Sequence, residues 1–486
     1  MKKKSIAKNY IYNLIYQLLL VVTPLITAPY VSRVLGAEAI GTYGYTYSIV
    51  TYFVLFGSLG AAMYGQREIA YVQNDKKKQS KVFLEIVIIR AITLTISMVT
   101  YYMTFCLRGE NTLYYKILLI EMFSTMFDIT WYFQGLEEFK KTVLRNLVIK
   151  TISIISIFIF VKSPEHLTIY IAIYTISNLL GNLSLWFYMP KYIEKVEKIE
   201  LKKHIKAMIV LFVPQIATQI YVVLDKTMIG AILGDMKQVG YYEQAQKIIK
   251  TLLLVVTAFG TVMTSRISNI YANEAKERIN DYIKLSFKFV WLIGLPIMFG
   301  TMAVASSVVP WFYGTGYDEV VPLMITISPI LIFIGLSNVT GMQYLIPTGR
   351  NEAYTISVTV GAISNLILNI ILIRLFKASG AAIASVISEF LVLVVQVHFL
   401  KKEMKVKEIT ENSWKYWISS ITMGIIVYLI STKLTATILN TMILVAIGII
   451  IYGTMLIILK DEFIMNNIKN IKEIINNKKK EGQCNE

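Results

Sequence analysis

The chain has 486 residues, of which 55% are hydrophobic and only 16% charged, and its mean hydropathy is +0.58. That balance excludes a set of water-soluble domains and excludes disorder. Two cysteines far apart, Cys106 and Cys484, exclude a disulfide scaffold. The net charge of +17 does not indicate nucleic acid, because the basic residues fall in the gaps between apolar runs instead of on one soluble face.

Apolar stretches long enough to cross a hydrocarbon core of roughly 30 Å recur about 14 times along the chain. They cover about 9–32, 41–64, 82–107, 112–134, 143–161 and 167–190, then 206–232, 240–264, 285–310, 321–346, 353–373, 380–400, 414–432 and 435–459. Runs such as Ala39 to Gln66 and Val321 to Gly349 are too long and too uncharged for barrel strands. The expected fold is therefore an all-α polytopic membrane protein. The first run has no small-residue cleavage pattern after it and reads as a retained anchor.

Lys and Arg resist translocation, so their distribution predicts orientation. With the N-terminus inside, roughly 34 of the 48 Lys and Arg fall on inner segments and roughly 7 on outer ones. Both termini are expected in the cytoplasm, in a multi-pass protein of the cytoplasmic membrane. Trp131, Trp186, Trp311, Trp414 and Trp417 lie near span ends, where an interfacial belt is expected. The outer loops are short and leave no room for a soluble catalytic domain.

An internal repeat sets the organisation. Leu35-Gly36-Ala37-Glu38-Ala39-Ile40-Gly41-Thr42-Tyr43 links the first two spans, and Leu233-Gly234-Asp235-Met236-Lys237-Gln238-Val239-Gly240-Tyr241 links the seventh and eighth. Two six-span lobes in the same orientation follow, related by an axis along the membrane normal. The expected organisation is a first lobe at 1–190, a linker at 191–206, a second lobe at 207–400, two extra helices at 401–459 and a basic tail at 460–486, which alternates apolar and basic residues and suits the inner leaflet.

No Gly-x-x-x-x-Gly-Lys-Ser/Thr phosphate loop or Gly-x-Ser-x-Gly elbow is present. His166, His204 and His398 are scattered without metal-ligand spacing, so neither metal nor cofactor is expected. What the spans do carry is ionisable residues, each expensive at membrane depth unless it meets a cavity or a partner. Arg33, Arg67, Lys226, Lys247 and Arg266 are the candidate cations; they suit a phosphate-bearing substrate through charge-assisted hydrogen bonds. Tyr43, Tyr45 and Tyr242 are candidate sugar contacts, whereas Tyr64 suits the belt. Asp128, Asp225 and Glu243 are acidic residues within the fourth, seventh and eighth spans. Snorkelling remains open for Arg33, Arg67 and Arg266, and an intrahelical pair for Glu243 and Lys247. Glu121 and Asp128 of the fourth span read either as proton or sodium sites or as structural partners of Lys116 or Arg90, the structural reading being favoured.

The segments Asn9-Tyr10-Ile11-Tyr12-Asn13-Leu14-Ile15-Tyr16-Gln17, Pro29-Tyr30-Val31-Ser32-Arg33-Val34-Leu35-Gly36 and Tyr64-Gly65-Gln66-Arg67-Glu68 resemble polysaccharide repeat-unit flippases of the Wzx type, as do Trp131-Tyr132-Phe133-Gln134-Gly135, Asp225-Lys226 and Gly240-Tyr241-Tyr242-Glu243. The resemblance implies the multidrug/oligosaccharidyl-lipid/polysaccharide exporter fold and alternating access through a cationic cavity, and it makes Asp128, Asp225 and Glu243 candidates for gating or for Na+ or H+ coupling. It implies an undecaprenyl-pyrophosphate-linked oligosaccharide as substrate, moved outward for capsule or exopolysaccharide synthesis, and polysaccharide polymerase machinery as a partner. A lipid II-type precursor flippase, a cation-coupled multidrug antiporter and an intramembrane enzyme on lipid-linked sugars are the alternatives. Nucleic acid is not an expected partner.

Overall fold

A computed structural model describes residues 6–189, 192–196, 198–272, 277–401, 409–410 and 412–465. The basic tail beyond 465 lies outside the described residues. Among them the fold is helical throughout, without strands, as the composition predicts.

The first two spans are one long element, α1 (Ile6–Ser58), broken at Gly36, whose φ of 78° and ψ of 170° are non-helical and open to glycine. Leu59 and Gly60 then take positive φ and start α2 (Ala61–Tyr71). Asp75 caps α3 (Lys76–Tyr101), its side chain accepting from the Lys78 amide at 3.1 Å. The expected fourth span at 112–134 is not continuous. It divides into α4 (Thr112–Met126) and the short α5 (Thr130–Gly135), with Asp128 Oδ1 accepting from the Thr130 amide at 2.9 Å in the break. The side chain competes with the helix ladder for that donor.

After α6 (Phe139–Phe160) and α7 (Leu167–Trp186) comes α8 (Lys202–Leu233), which stops at Gly234 in the left-handed conformation (φ 66°). The chain continues as α9 (Met236–Ala272), α10 (Glu277–Tyr313), α11 (Val320–Ile327) and α12 (Ile330–Ser337), then a π-helical stretch at Asn338–Leu345. The eleventh and twelfth spans merge in α13 (Asn351–Leu400) across a non-helical Lys377. The last two are α14 (Ser413–Ser431) and α15 (Ile438–Ile458). By length and composition, nine helical runs among the described residues can cross a membrane. Two of them, Val22–Tyr71 and Asn351–Leu400, are 50 residues long; at 1.5 Å per residue each is long enough to cross twice.

The chain forms two compact units. The first comprises Met1–Lys247, Tyr313–Tyr317 and Ala362–Ala384, and the second Ile248–Phe312, Asp318–Gly361 and Ser385–Glu486. The first has an aromatic core in which Phe83, Trp131, Tyr132 and Phe133 are fully or almost fully buried. Trp131 is therefore not interfacial: its ring lies where a Cβ on Gly65 would come within 2.4 Å, so only glycine admits it. Tyr64 is likewise buried and not in the belt. In the second unit α14 and α15 bury Met423, Val427 and Leu444 against Ala303 and Val304 of α10, while Ile425, Leu429, Ile449 and Ile450 remain exposed.

Candidate functional site

Within the first unit the two copies of the sequence repeat come into direct contact. A Cβ on Gly41 would lie 1.7 Å from the Met236 carbonyl oxygen, and one on Gly240 would lie 2.0 Å from that of Ala37. Glycine removes the side chains and lets the α1 and α9 backbones touch. Around this crossing α1, α8 and α9 bring several of the expected polar residues together.

Lys226 and Glu243 form an ion pair at 2.6 Å between α8 and α9. Lys247, one turn beyond Glu243, is within electrostatic range of both. Glu243 thus pairs across helices, in addition to facing Lys247 on its own. Gly44 on α1 faces the Glu243 carboxylate, with a Cβ there 3.7 Å from Oε2. On the same α1 face Ser48 bonds Thr227 at 2.7 Å. Tyr45 packs its ring over Gly230, and Tyr43 contacts Tyr47, Tyr170 and Tyr174 with centroids 5.3–6.1 Å apart.

Asp225, the neighbour of Lys226, faces elsewhere, as a 100° step on a helix requires. It accepts from the Tyr242 hydroxyl and, at 2.8 Å, from Asn369. Tyr242 is fully buried. The signal that would have revealed this partner was Asn365-x-x-x-Asn369, two amides one turn apart in an apolar run, bonded to each other at 3.1 Å.

The remaining candidates are dispersed. Arg33 is exposed, with its stem against Gly314. Beside it Ser32 accepts from Gln244 at 2.9 Å, and its carbonyl accepts from the Tyr317 hydroxyl at 3.0 Å. Arg67 pairs with Glu68 at 3.0 Å and lies over the Tyr64 ring. Asp128 faces Arg90 at 4.0 Å, and its carbonyl accepts from the same guanidinium at 2.5 Å. Arg266 belongs to the second unit and lies 4.6 Å from the Tyr282 ring centroid.

Two features escaped the sequence. Glu85, fully buried, binds His204 at 2.7 Å and the Glu200 amide at 2.7 Å, and His204 in turn contacts the Tyr64 hydroxyl at 2.7 Å. A cavity of about 670 Å³ is lined by both repeat copies, with Glu38 and Thr42 on one side and Lys237 and Tyr241 on the other. Lys237 and Glu38 are 3.9 Å apart. Among the described residues no group of three His, Cys, Asp or Glu side chains is placed to hold a metal.

The helical fold matches solved structures over most of the chain. The chain aligns with the lipid II flippase MurJ in an inward closed conformation at a TM-score of 0.74, 19% identity, over 94% of this chain and all of the other. It aligns with an inward-facing multidrug resistance MATE family transporter of the MOP superfamily at 0.65 and 16%, over 83% and 99%. Residues 6–270 match the family described as "Polysaccharide biosynthesis protein", and the chain belongs to that family. Its relatives include the putative O-antigen transporter of Escherichia coli K12, 25% identical over 82% of this chain and 97% of the relative. Another is the probable low-salt glycan biosynthesis flippase Agl15 of Haloferax volcanii, 24% identical over 44% and 45%.

Proposed function

We propose that this protein moves a lipid-linked oligosaccharide bearing phosphate groups from the inner to the outer leaflet of the cytoplasmic membrane. The observation that carries the reading is the cluster of Lys226, Glu243 and Lys247 among the tyrosines of apolar helices. Lys226 and Lys247 offer amine donors at this crossing, and a diphosphate is the kind of group such donors hold where water is scarce. Tyr43, Tyr170 and Tyr174 offer ring faces of the kind on which sugars stack. The family and the full-length likeness to an O-antigen transporter support a polysaccharide precursor as cargo.

On this reading the two six-span halves alternate access to the two sides, both termini lie inside, and the cargo is an undecaprenyl-pyrophosphate glycan destined for capsule or exopolysaccharide and passed to a polymerase. Arg33, Arg67 and Arg266 serve as further contacts along the route. The test is the leaflet distribution of the lipid-linked oligosaccharide in cells that lack this protein but keep the glycosyltransferases. Intact units trapped on the inner leaflet support the reading; normal outward transfer overturns it.

A further inference from the structure

The cavity of about 670 Å³ in the first unit lies where several connections between spans converge. Its lining includes residues 35–39, Asn111, Pro164, Lys237 and residues 315–317. These belong to the connections after the first, third, fifth, seventh and ninth expected spans. Successive spans run in opposite directions, so odd-numbered connections share one side, which is the outer side when the N-terminus is inside. The volume falls within the range of pockets that hold small molecules.

The chemistry of the lining narrows the ligand. Glu38 and Lys237 are the charged side chains on it, and they oppose each other at 3.9 Å, with no surplus cation to hold a phosphate. Tyr114, Tyr241 and Tyr317 contribute aromatic rings. The Tyr241 and Tyr317 rings meet edge to face, with centroids 6.1 Å apart. Tyr317 is almost fully buried and donates its hydroxyl to the Ser32 carbonyl at 3.0 Å, so it is fixed and supports Tyr241. Gly36 and Gly316 have φ of 78° and 84°, and a Cβ at either would meet no atom within 4 Å; parts of the wall are bare backbone beside open space. A saccharide has hydroxyls around its edge and C–H groups on its faces. Carboxylate, ammonium and hydroxyl groups beside tyrosine rings match both, whereas an acyl chain would bury the charged pair.

We propose that this cavity is a saccharide-binding site on the outer side, which holds the glycan of the cargo apart from the diphosphate site at Lys226 and Lys247. Both sites lie along α1 and α9. Glu38 and Thr42 of α1 and Lys237 and Tyr241 of α9 line the cavity. Further along the same helices Gly44 faces Glu243. From Lys237 to Lys247 the rise along α9 is about 15 Å, a separation that a lipid-linked oligosaccharide spans. The link to transport and the outer placement rest on the proposed function; the saccharide site does not.

The test uses full-length protein in nanodiscs, free of sugar detergent. The probe is the oligosaccharide of the host's lipid-linked pool, cleaved from its lipid by mild acid. Nuclear magnetic resonance is expected to show saturation transfer from the protein to the sugar C–H protons, undiminished by added inorganic pyrophosphate. Tyr241→Ala should weaken binding about tenfold, the loss of one aromatic contact. Glu38→Gln, a change at an exposed side chain, should weaken it as well and keeps the test open if the tyrosine variant does not fold. In whole cells, Thr315→Cys should react with a membrane-impermeant maleimide, and the added oligosaccharide should slow that reaction. Absence of saturation transfer, competition by pyrophosphate, or unchanged affinity in both variants would each overturn the proposal. Binding by a protein whose loss leaves leaflet transfer normal would keep the saccharide site and overturn the cargo reading. Leaflet transfer that depends on the protein, without oligosaccharide binding, would do the reverse.

Discussion

Lys226 of α8 and Glu243 of α9 meet at 2.6 Å, with side chains only 13% and 23% exposed. The two residues lie on different helices, and removal of either takes from the other its partner across the α8–α9 contact. Loss of one partner of a buried pair costs about 3 kcal/mol or more. Lys226→Met and Glu243→Gln should each lower the melting temperature in detergent and reduce lipid transfer at least tenfold. The double variant Lys226→Met/Glu243→Leu should regain most of the thermal stability without regaining transport. Full transport in the double variant would remove the pair from the mechanism.

The α1–α9 crossing makes a sharper steric demand. Gly41→Val places carbon where the Met236 carbonyl oxygen stands, whereas Gly44→Ala meets its nearest atoms at an ordinary 3.7 Å. The first should abolish accumulation of folded protein, and the second should leave it near wild type. Monodispersity in size-exclusion chromatography reads the difference.

Glu85 ties the segment before α8 to α3, through the Glu200 amide and His204, with Lys203 at 3.5 Å. Glu85→Ala leaves the buried His204 ring nitrogen without its partner, at about 1–3 kcal/mol, and frees the Glu200 amide to bond water. Tyr64→Phe removes only the hydroxyl bonded to His204 and should cost about 1 kcal/mol. Thermal unfolding should rank Glu85→Ala below Tyr64→Phe, and amide exchange at Glu200 should quicken only in the first. Equal effects would show that the carboxylate is not the anchor.

Asp75, at the start of α3, has its carboxyl held below the ordinary carboxylate range, first by the Lys78 backbone amide that it accepts from. Because the folded value is depressed, the stabilisation is present above the unfolded value, about 3.9, and is lost as pH falls through the folded one. Asp75→Ala should therefore speed amide exchange in the first turn of α3 at pH 7. The contrast with wild type should shrink below about pH 4. A contrast that persists undiminished at lower pH would assign the protection to something other than the carboxylate.

The helical layout was legible because each span is a long uncharged run that physics allows in few forms. The break at Phe127–Ile129 was not, since Asp128 captures a backbone donor and no local composition announces it. Lys226 and Glu243 were singled out as charges in apolar context, yet their pairing depends on how α8 and α9 cross. Trp131 and Tyr64 misled because an aromatic near a span end suits a membrane interface and a packed core equally well. What decided the core was Gly65 and Gly135, whose missing side chains let α2 and α5 close on them.

Gly41 approaches the carbonyl four residues before Gly240, and Gly240 approaches the carbonyl four residues before Gly41. Such a reciprocal contact is isologous, the kind made when one surface meets an identical copy of itself across a two-fold axis. A homodimer holding this contact would have met every substitution at both positions simultaneously. With both copies in a single chain the constraint becomes one-sided: Met236 can stand where the other copy has Ala37, provided the two glycines opposite remain.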